Sequence, residues 1–505
     1  MFEAMDDDSC WSDHRHEPLR EPEMIVRRGR GVRLSELLPT TRFVACDDIL
    51  ATGCHDDPDA CGPGDVFVAR LTGHGDGHEL VARAIARGVS GIVAERIIPT
   101  FGTPLCIVPD SVWALARLTH SLAGDPTGSM RVIAITGTSG KTTTAWLAAA
   151  VLSEAGLRVG VLSDLGCLDA DSTEPVAADL EEPSVLAGWL KRLATSGCTH
   201  AVVEVSSRML ARHALAGIAC DTVVVTNLAT AHLDDHGSVE AYHEIKARIL
   251  DSLGAHGCLI ANVDDERVER LAARHRGPRL TAALTHDADL TAILVERSLH
   301  GQMVLLRSGG HVAPVTLATP VTSFARDALF AAAVGMRYRV PFERIARGLE
   351  AAGSVSGRLE RLDRGQDAAV FLDRPTSGHA LATTLASLRR LTPGRLVLVA
   401  EESLAERIDA GRFAVRASRW CDETVIVPAS VLDQDAGNEA VVAYARLDRL
   451  LSSLDGRDCV VVLGEGLRRQ GDPGDPGEPQ ASLAALVDGW LQLVHPPVWG
   501  RRRAA

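Results

Sequence analysis

Lysine is almost missing from this chain. Among its 505 residues lysine stands only at Lys141, Lys191 and Lys246, and the rest of the 52 Lys+Arg side chains are arginine. A guanidinium is a planar fork that stays charged, whereas an amine is a compact charge that can deprotonate. A lysine kept in such a background is therefore a candidate for chemistry that arginine cannot perform, and two of the three lie inside motifs. Other absences exclude whole classes of protein. No uninterrupted run of about 18 apolar residues occurs, so no transmembrane helix is expected. The first residues, MFEAMDDDSC, are acidic where a secretory signal is basic and then apolar. No C-x-x-C pair is present, and the 11 cysteines scatter from Cys10 to Cys459. Even the Cys46, Cys54 and Cys61 group has no standard metal-ligand spacing, which leaves free thiols in a cytoplasmic protein as the expectation. Aromatics amount to 4%, and the net charge of −14 argues against nucleic acid or an anionic membrane as a partner. It leaves room for a local basic pocket that holds phosphate.

What is present is ordinary for a globular protein of several domains: 46% hydrophobic and 23% charged residues, in a chain longer than one core serves. Residues 1–30 are polar without periodicity and read as a disordered leader. Residues 31–127 form an α/β unit in which GDVFVAR, ELVARAIARGV and GIVAE alternate strand, amphipathic helix and strand. Residues 128–356 open on the apolar strand RVIAIT, a glycine turn and the helical stretch TTTAWLAAAVLSEAG. Further strands at HAVVEVS, DTVVVTNL and CLIANV predict a doubly wound parallel sheet, with LTAILVERS, MVLLRS and HVAPVTLA as a short antiparallel appendix. Residues 357–490 read as a third, Rossmann-like α/β unit with strands AAVFLD, GRLVLVA, ETVIVP and DCVVVLG; QGDPGDPGEPQ at 470–480 reads as a flexible turn region. Residues 491–505, with Arg501, Arg502 and Arg503, read as a solvated basic tail.

The loop ITGTSGKTTT lacks the first glycine of the usual G-x-x-x-x-G-K-[ST] pattern, since position 135 is Ile135. Its physical arrangement survives. A buried strand feeds a turn of Gly137, Thr138, Ser139 and Gly140, whose backbone N–H groups and following helix can hold phosphate. Lys141 would reach the outer phosphates, Thr142 would offer a hydroxyl to Mg²⁺, and Thr143 follows in the first turn. A second constellation is Glu204 after HAVV, His232 in TNLATAHLDDHGS and Lys246 in AYHEIKARIL. Glu204 and His232 follow predicted strands at the carboxyl edge, where open α/β sheets bind ligands. A hard carboxylate oxygen there suits Mg²⁺.

The run TGTSGKTTT, EVSS, TNL-x-x-x-HLD-x-HG, Y-x-x-x-K, N-x-DD at Asn262 to Asp265 and SGRLE at Ser356 to Glu360, in this order, closely resembles the Mur ligases. Within them it is most similar to the UDP-N-acetylmuramoyl-tripeptide synthetases, over about residues 32–470. The resemblance implies a three-domain α/β architecture with a central P-loop sheet, and a monomer. It implies a ligase of peptidoglycan precursor synthesis that uses ATP and Mg²⁺. In that reaction the carboxylate of a UDP-muramoyl peptide attacks the ATP γ-phosphate to give an acyl phosphate and ADP, and the amine of an amino acid then displaces phosphate. By position, Glu204 and His232 would bind metal and Lys246 would carry a carbamate that helps hold it. Asn262 and Arg358 would contact the nucleotide, and Ser206, Arg212, His213 and Asp373 the substrates.

The family pattern breaks where the substrates bind. The family's D-S-R-x-V-x-P-G-D reads here as Asp57, Pro58 and Asp59 leading to Pro63, Gly64 and Asp65, and T-T-P reads as Glu181, Glu182 and Pro183. In G-x-F-N-x-x-N both asparagines are replaced, by Ala325 and Ala328. The D-Y-A-H-T-P segment keeps only Asp373, the G-G-D-R-D loop becomes Glu401 to Glu406, D-N-P-R is unrecognisable around Pro428, and K-G-H-E becomes Glu465, Gly466, Leu467 and Arg468. Two expectations follow: an amide ligase with altered specificity, or a homologue that binds ATP and Mg²⁺ in a regulatory role with little ligase activity.

Overall fold

The computed structural model describes residues 31–494 apart from 39, 73–74, 170–171, 175–178, 230–237, 376, 410, 429–437 and 465–482. The expected leader, the turn region at 470–480, residues 495–505 and His232 lie outside the described residues.

Three α/β sheets carry the chain. The central one has the strand order Thr173–Glu174, Gly166–Leu168, Val159–Ser163, His200–Glu204, Arg131–Thr136, Cys220–Val225, Leu253–Asn262, Arg279–Ala283, Leu290–Ser298, Gly301–Ser308 and His311–Leu317. Pairing is parallel from Val159–Ser163 through to Leu290–Ser298 and antiparallel at both edges. The inner strands are apolar, β-branched runs because helices cover both faces of a parallel sheet and leave no side for polar residues. Residues Val132 to Ile135 and Val223 to Val225 are accordingly fully buried. Register aligns Ile135 with Glu204 and Thr136 with Val225, so the carboxyl ends of three strands meet at one level. Chain order also turns there, since Arg131–Thr136 lies between the strands of 200 and 220, and this is where such sheets bind ligands.

The segment expected as a short antiparallel appendix does pair antiparallel within itself, and its first strand joins it to this sheet. Leu290, which is buried, and Thr291 pair in parallel with Ala282 and Ala283, which extends the ladder rather than ending it. The alternating burial of Gly301–Ser308 and His311–Leu317 places one face against helix Phe342–Ala352, whose Ile345 and Leu349 are buried.

The first sheet has the order Arg42–Val44, Leu105–Ile107, Gly91–Ala94, Asp65–Val68 and Gly53–His55, parallel except at the first pair. The third has the order Glu360–Leu362, Ala369–Asp373, Cys459–Leu463, Leu396–Glu401 and Glu423–Val427. A helix, Leu483–Val494, packs on it through Leu483, Val487, Trp490 and Leu491. The expected boundary at 490 is therefore corrected: residues 491–494 finish an apolar helix, because Leu491 continues the stripe that Leu483, Val487 and Trp490 bury. No disulfide joins the described cysteines, and no described helix is long and apolar enough to cross a membrane.

Candidate functional site

Strand Arg131–Thr136 runs into the glycine turn, and helix Lys141–Glu154 starts directly after it. Gly140 has φ +81°, and a Cβ there would overlap the carboxylate of Asp327. A Cβ on Gly137 would overlap the Thr226 hydroxyl. The turn is thus glycine because neighbouring side chains press against it. One of those neighbours, Asn227, clamps it: its Oδ1 accepts from the N–H groups of Thr138 and Ser139 at 3.1 and 3.0 Å, and its Nδ2 donates to the Ser139 carbonyl at 3.0 Å. Asn227 was not singled out from the sequence. The signal lay in its place directly after a buried strand, inside the TNL run.

Glu204 ends its strand almost fully buried, with Thr142 Oγ1 donating to its Oε2 at 2.8 Å and Lys141 Nζ 3.8 Å from its Oε1. The Asp164 N–H donates to Oε2 at 3.3 Å, and Arg358 Nη2 donates to Thr142 Oγ1 at 3.2 Å. Burial raises the affinity of Glu204 for a proton and the negative charge of Asp164 adds to it, while Lys141, Arg358 and the Thr142 hydrogen bond oppose. Two acidic groups beside one hydroxyl form a hard oxygen donor set that gains from a divalent cation, so Thr142 and Glu204 fit Mg²⁺.

Lys246, on helix Val239–Ala247, is 2% exposed. Its Nζ donates to the Gly137 carbonyl at 2.9 Å and to Thr136 Oγ1 at 3.4 Å, and lies 5.0 Å from the ring centre of Tyr242 one turn earlier. The Tyr242 hydroxyl is 3.1 Å from Thr138 Oγ1, which ties the Y-x-x-x-K helix to the loop. Burial pulls the Lys246 amine well below the usual lysine range, Lys141 pulls the same way, and Glu204 opposes.

Between this loop, the start of helix Thr322–Arg337 and the third sheet's edge lies a cavity of about 540 Å³. Lys141, Thr142, Thr143, Asn262, Arg358 and Asp373 are on its wall. Asn262 is held in place by donating to the Thr226 carbonyl at 2.7 Å and accepting from the Asp264 N–H at 3.0 Å. A second cavity, of about 320 Å³, is bordered by Glu204, Asp164, Asp179, Glu181, Ser206 and Arg358. Here Ser206 Oγ donates to Glu181 at 2.9 Å, and Arg212 is taken up by Glu182 at 2.6 Å and Asp179 at 3.5 Å. His213, with φ +52°, reaches away to Asp110 at 3.1 Å. Four groups read from the sequence as substrate contacts are thus dispersed: Ser206 and Arg212 near the second cavity, Asp373 on the first, His213 toward the first sheet.

Asp373 is buried and accepts from the Leu359 N–H at 3.1 Å. Burial pushes its carboxyl up to about 6, against the pull of Arg358 and the backbone hydrogen bonds. In an unfolded chain the same group ionises near pH 4. Its ionisation therefore weakens the fold as pH rises from about 4 to about 6, and by a constant amount above that. Asp373→Asn is expected to stabilise the protein by about 3 kcal/mol near pH 8 and by nothing near pH 4, measured by thermal unfolding across that range. A gain that did not change with pH would contradict the assignment.

Comparison with known proteins identifies the family and the fold. Residues 135–335 match the Mur ligase middle domain. A UDP-N-acetylmuramoyl-L-alanyl-D-glutamate–2,6-diaminopimelate ligase from Solibacter usitatus is 32% identical over 415 residues, 79% of this chain and 82% of that one. A UDP-N-acetylmuramyl-tripeptide synthetase from Roseiflexus sp. is 31% identical over 419 residues, 76% of this chain and 81% of that one. Among solved structures, a UDP-N-acetylmuramoyl-L-alanyl-D-glutamate–2,6-diaminopimelate ligase matches with TM-score 0.66 at 20% identity, covering 86% of this chain and 93% of that chain. A MurF ligase from Thermotoga maritima in complex with ADP matches with TM-score 0.53 at 18% identity, covering 81% and 93%. The structures share the fold, and the two sequence relatives go further: the chain belongs to the Mur ligase family.

Proposed function

We propose that the chain is an ATP-dependent carboxylate–amine ligase that acts on a UDP-muramoyl-peptide-like carboxylate and an amino acid through an acyl phosphate. The observation that carries this reading is the meeting of Lys141, Thr142, Glu204 and the buried Lys246 around one glycine loop. Residues 31–127 would serve the uracil nucleotide, 128–356 ATP, and 357–494 the incoming amino acid. Nothing in the comparisons favours a non-catalytic homologue over a ligase.

The chain's own groups divide the work. With the Thr138 and Ser139 N–H groups held by Asn227, the start of helix Lys141–Glu154 offers partial positive charge to phosphate oxygens. Lys141 neutralises charge at the transferring phosphate and Arg358 holds Thr142 in place from the third-sheet side. Thr142, Glu204, His232 and Lys246 as a carbamate would hold Mg²⁺, which when bound supplies charge neutralisation for phosphoryl transfer. Lys246 meets the requirement for a carbamate, since its environment favours the neutral amine whose lone pair attacks CO₂, releasing one proton. Asn262 and Arg358 sit on the wall expected to face the nucleotide.

Glu204→Gln removes the buried charge while keeping most of the shape. ADP formation from ATP and Mg²⁺ should fall by about 10²-fold or more. Turnover equal to that of the unaltered protein would remove Glu204 from the site.

A further inference from the structure

The larger cavity contains a buried carboxyl group that none of these roles uses. Asp327 lies in the second turn of helix Thr322–Arg337, is 7% exposed, and lines the cavity beside the glycine loop. Its carboxylate rests directly on Gly140, with Cγ 2.9 Å from where a Cβ would stand. It accepts no hydrogen bond from any described residue. Arg326 on its own helix and Arg358 from the third-sheet side act on it through space, but Arg358 spends its terminal nitrogens on the Arg374 carbonyl and Thr142. The loop helix brings Lys141 to the same cavity, the opposite wall Asp264, Asp265, Glu266, Arg267 and Arg270, and the third sheet's edge Asp373, Arg374 and His379.

A buried, unbonded carboxyl group beside a loop built to collect anions is in the wrong charge state when ionised. An ionised carboxylate only accepts hydrogen bonds, and so do phosphate oxygens. A neutral carboxyl carries an O–H and becomes a donor. Burial already favours that neutral form, raising the group well above the usual carboxylate range against the two arginines. A phosphate arriving on the loop favours it further, because like charges held close cannot both stay ionised cheaply.

We propose that Asp327 is a nucleotide-binding residue that acts as a neutral carboxyl, donating its O–H to an oxygen of the bound triphosphate. Where the unliganded group is ionised, nucleotide binding then takes one proton from solution onto the carboxylate oxygen, and release returns it. The inference rests on the reading of the loop as a nucleotide site.

The test is calorimetric titration of the full chain with a non-hydrolysable ATP analogue and Mg²⁺, in buffers of differing ionisation enthalpy, from about pH 6 to pH 9. In the unaltered protein, proton uptake should exceed that of Asp327→Asn by an amount that grows toward one proton at the alkaline end. Its affinity should fall there by up to about tenfold per pH unit relative to the variant. Asp327→Asn keeps an N–H donor without needing a proton, so its binding should lack this part of the pH dependence. Asp327→Ala should share that loss and bind roughly ten- to a hundred-fold more weakly. Thermal unfolding of both variants confirms that they are folded. Equal proton uptake in the unaltered protein and Asp327→Asn would overturn the inference alone. Binding that instead requires sodium or potassium, and loses that requirement in Asp327→Asn, would do the same by making Asp327 a cation ligand. Absence of any nucleotide binding by the unaltered protein would overturn this inference and the nucleotide reading together.

Discussion

Lys246→Ala is expected to lower ATP turnover by about 10²–10³-fold, with partial recovery when a short carboxylate such as acetate is added. The expectation follows from where the amine sits. Lys246 is 2% exposed, bonded to the Gly137 carbonyl and Thr136, and subject to the positive charge of Lys141. An ammonium there is disfavoured by burial and by a like charge. A carbamate would reverse the second effect, since its negative charge would be drawn to Lys141. Lys246→Arg should be as inactive as the alanine variant and should resist rescue, because a guanidinium cannot add CO₂ and fills the space that acetate would take. Labelled bicarbonate should give a carbamate carbon signal in the unaltered protein and none in either variant. Unchanged turnover in Lys246→Ala would reduce the residue to a support for the loop.

The second large effect concerns the substrate. Exchanging Glu181 and Glu182 together for threonine should raise kcat/KM for UDP-N-acetylmuramoyl-L-alanyl-D-glutamate by about 10²-fold, the equivalent of a few kcal/mol of relieved like-charge repulsion. In the structure Glu181 occupies the Ser206 hydroxyl and Glu182 occupies Arg212, so a cation and a hydroxyl suited to an anionic peptide are turned to internal partners. Burial raises the Glu181 carboxyl and the neighbouring Asp179 adds to it, while Ser206, Arg208 and Arg212 oppose. The gain should therefore grow with pH as Glu181 ionises. A double variant no faster than its parent, on a substrate the parent already uses well, would show that these carboxylates face away from the peptide.

How much of this was legible in the sequence depends on the range of the interactions. The inner strands could be read because burial on both faces leaves near-continuous apolar runs, as in RVIAIT and DTVVV. The loop could be read despite the missing first glycine, because strand, glycine turn and helix are local in sequence. Asn227 and Asp327 could not, since they reach the loop from a strand end and a helix far along the chain, and nothing local marks an asparagine as a clamp or a carboxyl as unpaired. Glu181 and Glu182 were visible as charges, but their partners Ser206 and Arg212 were not. The antiparallel strands near 290–317 were visible as strands. Their attachment to the central sheet depends on a short parallel pairing, Ala282 with Leu290 and Ala283 with Thr291, which has no local signature.

The central claim is that this site spends ATP to activate a carboxylate. Its most direct measurement is ADP release in the presence of hydroxylamine across a panel of UDP-muramoyl peptides, with the hydroxamate product quantified. The expected result is ADP formation that depends on one of these carboxylates and matches hydroxamate one for one, lost in Lys246→Ala and Glu204→Gln. ATP hydrolysis indifferent to every carboxylate offered, with no hydroxamate formed, would contradict it.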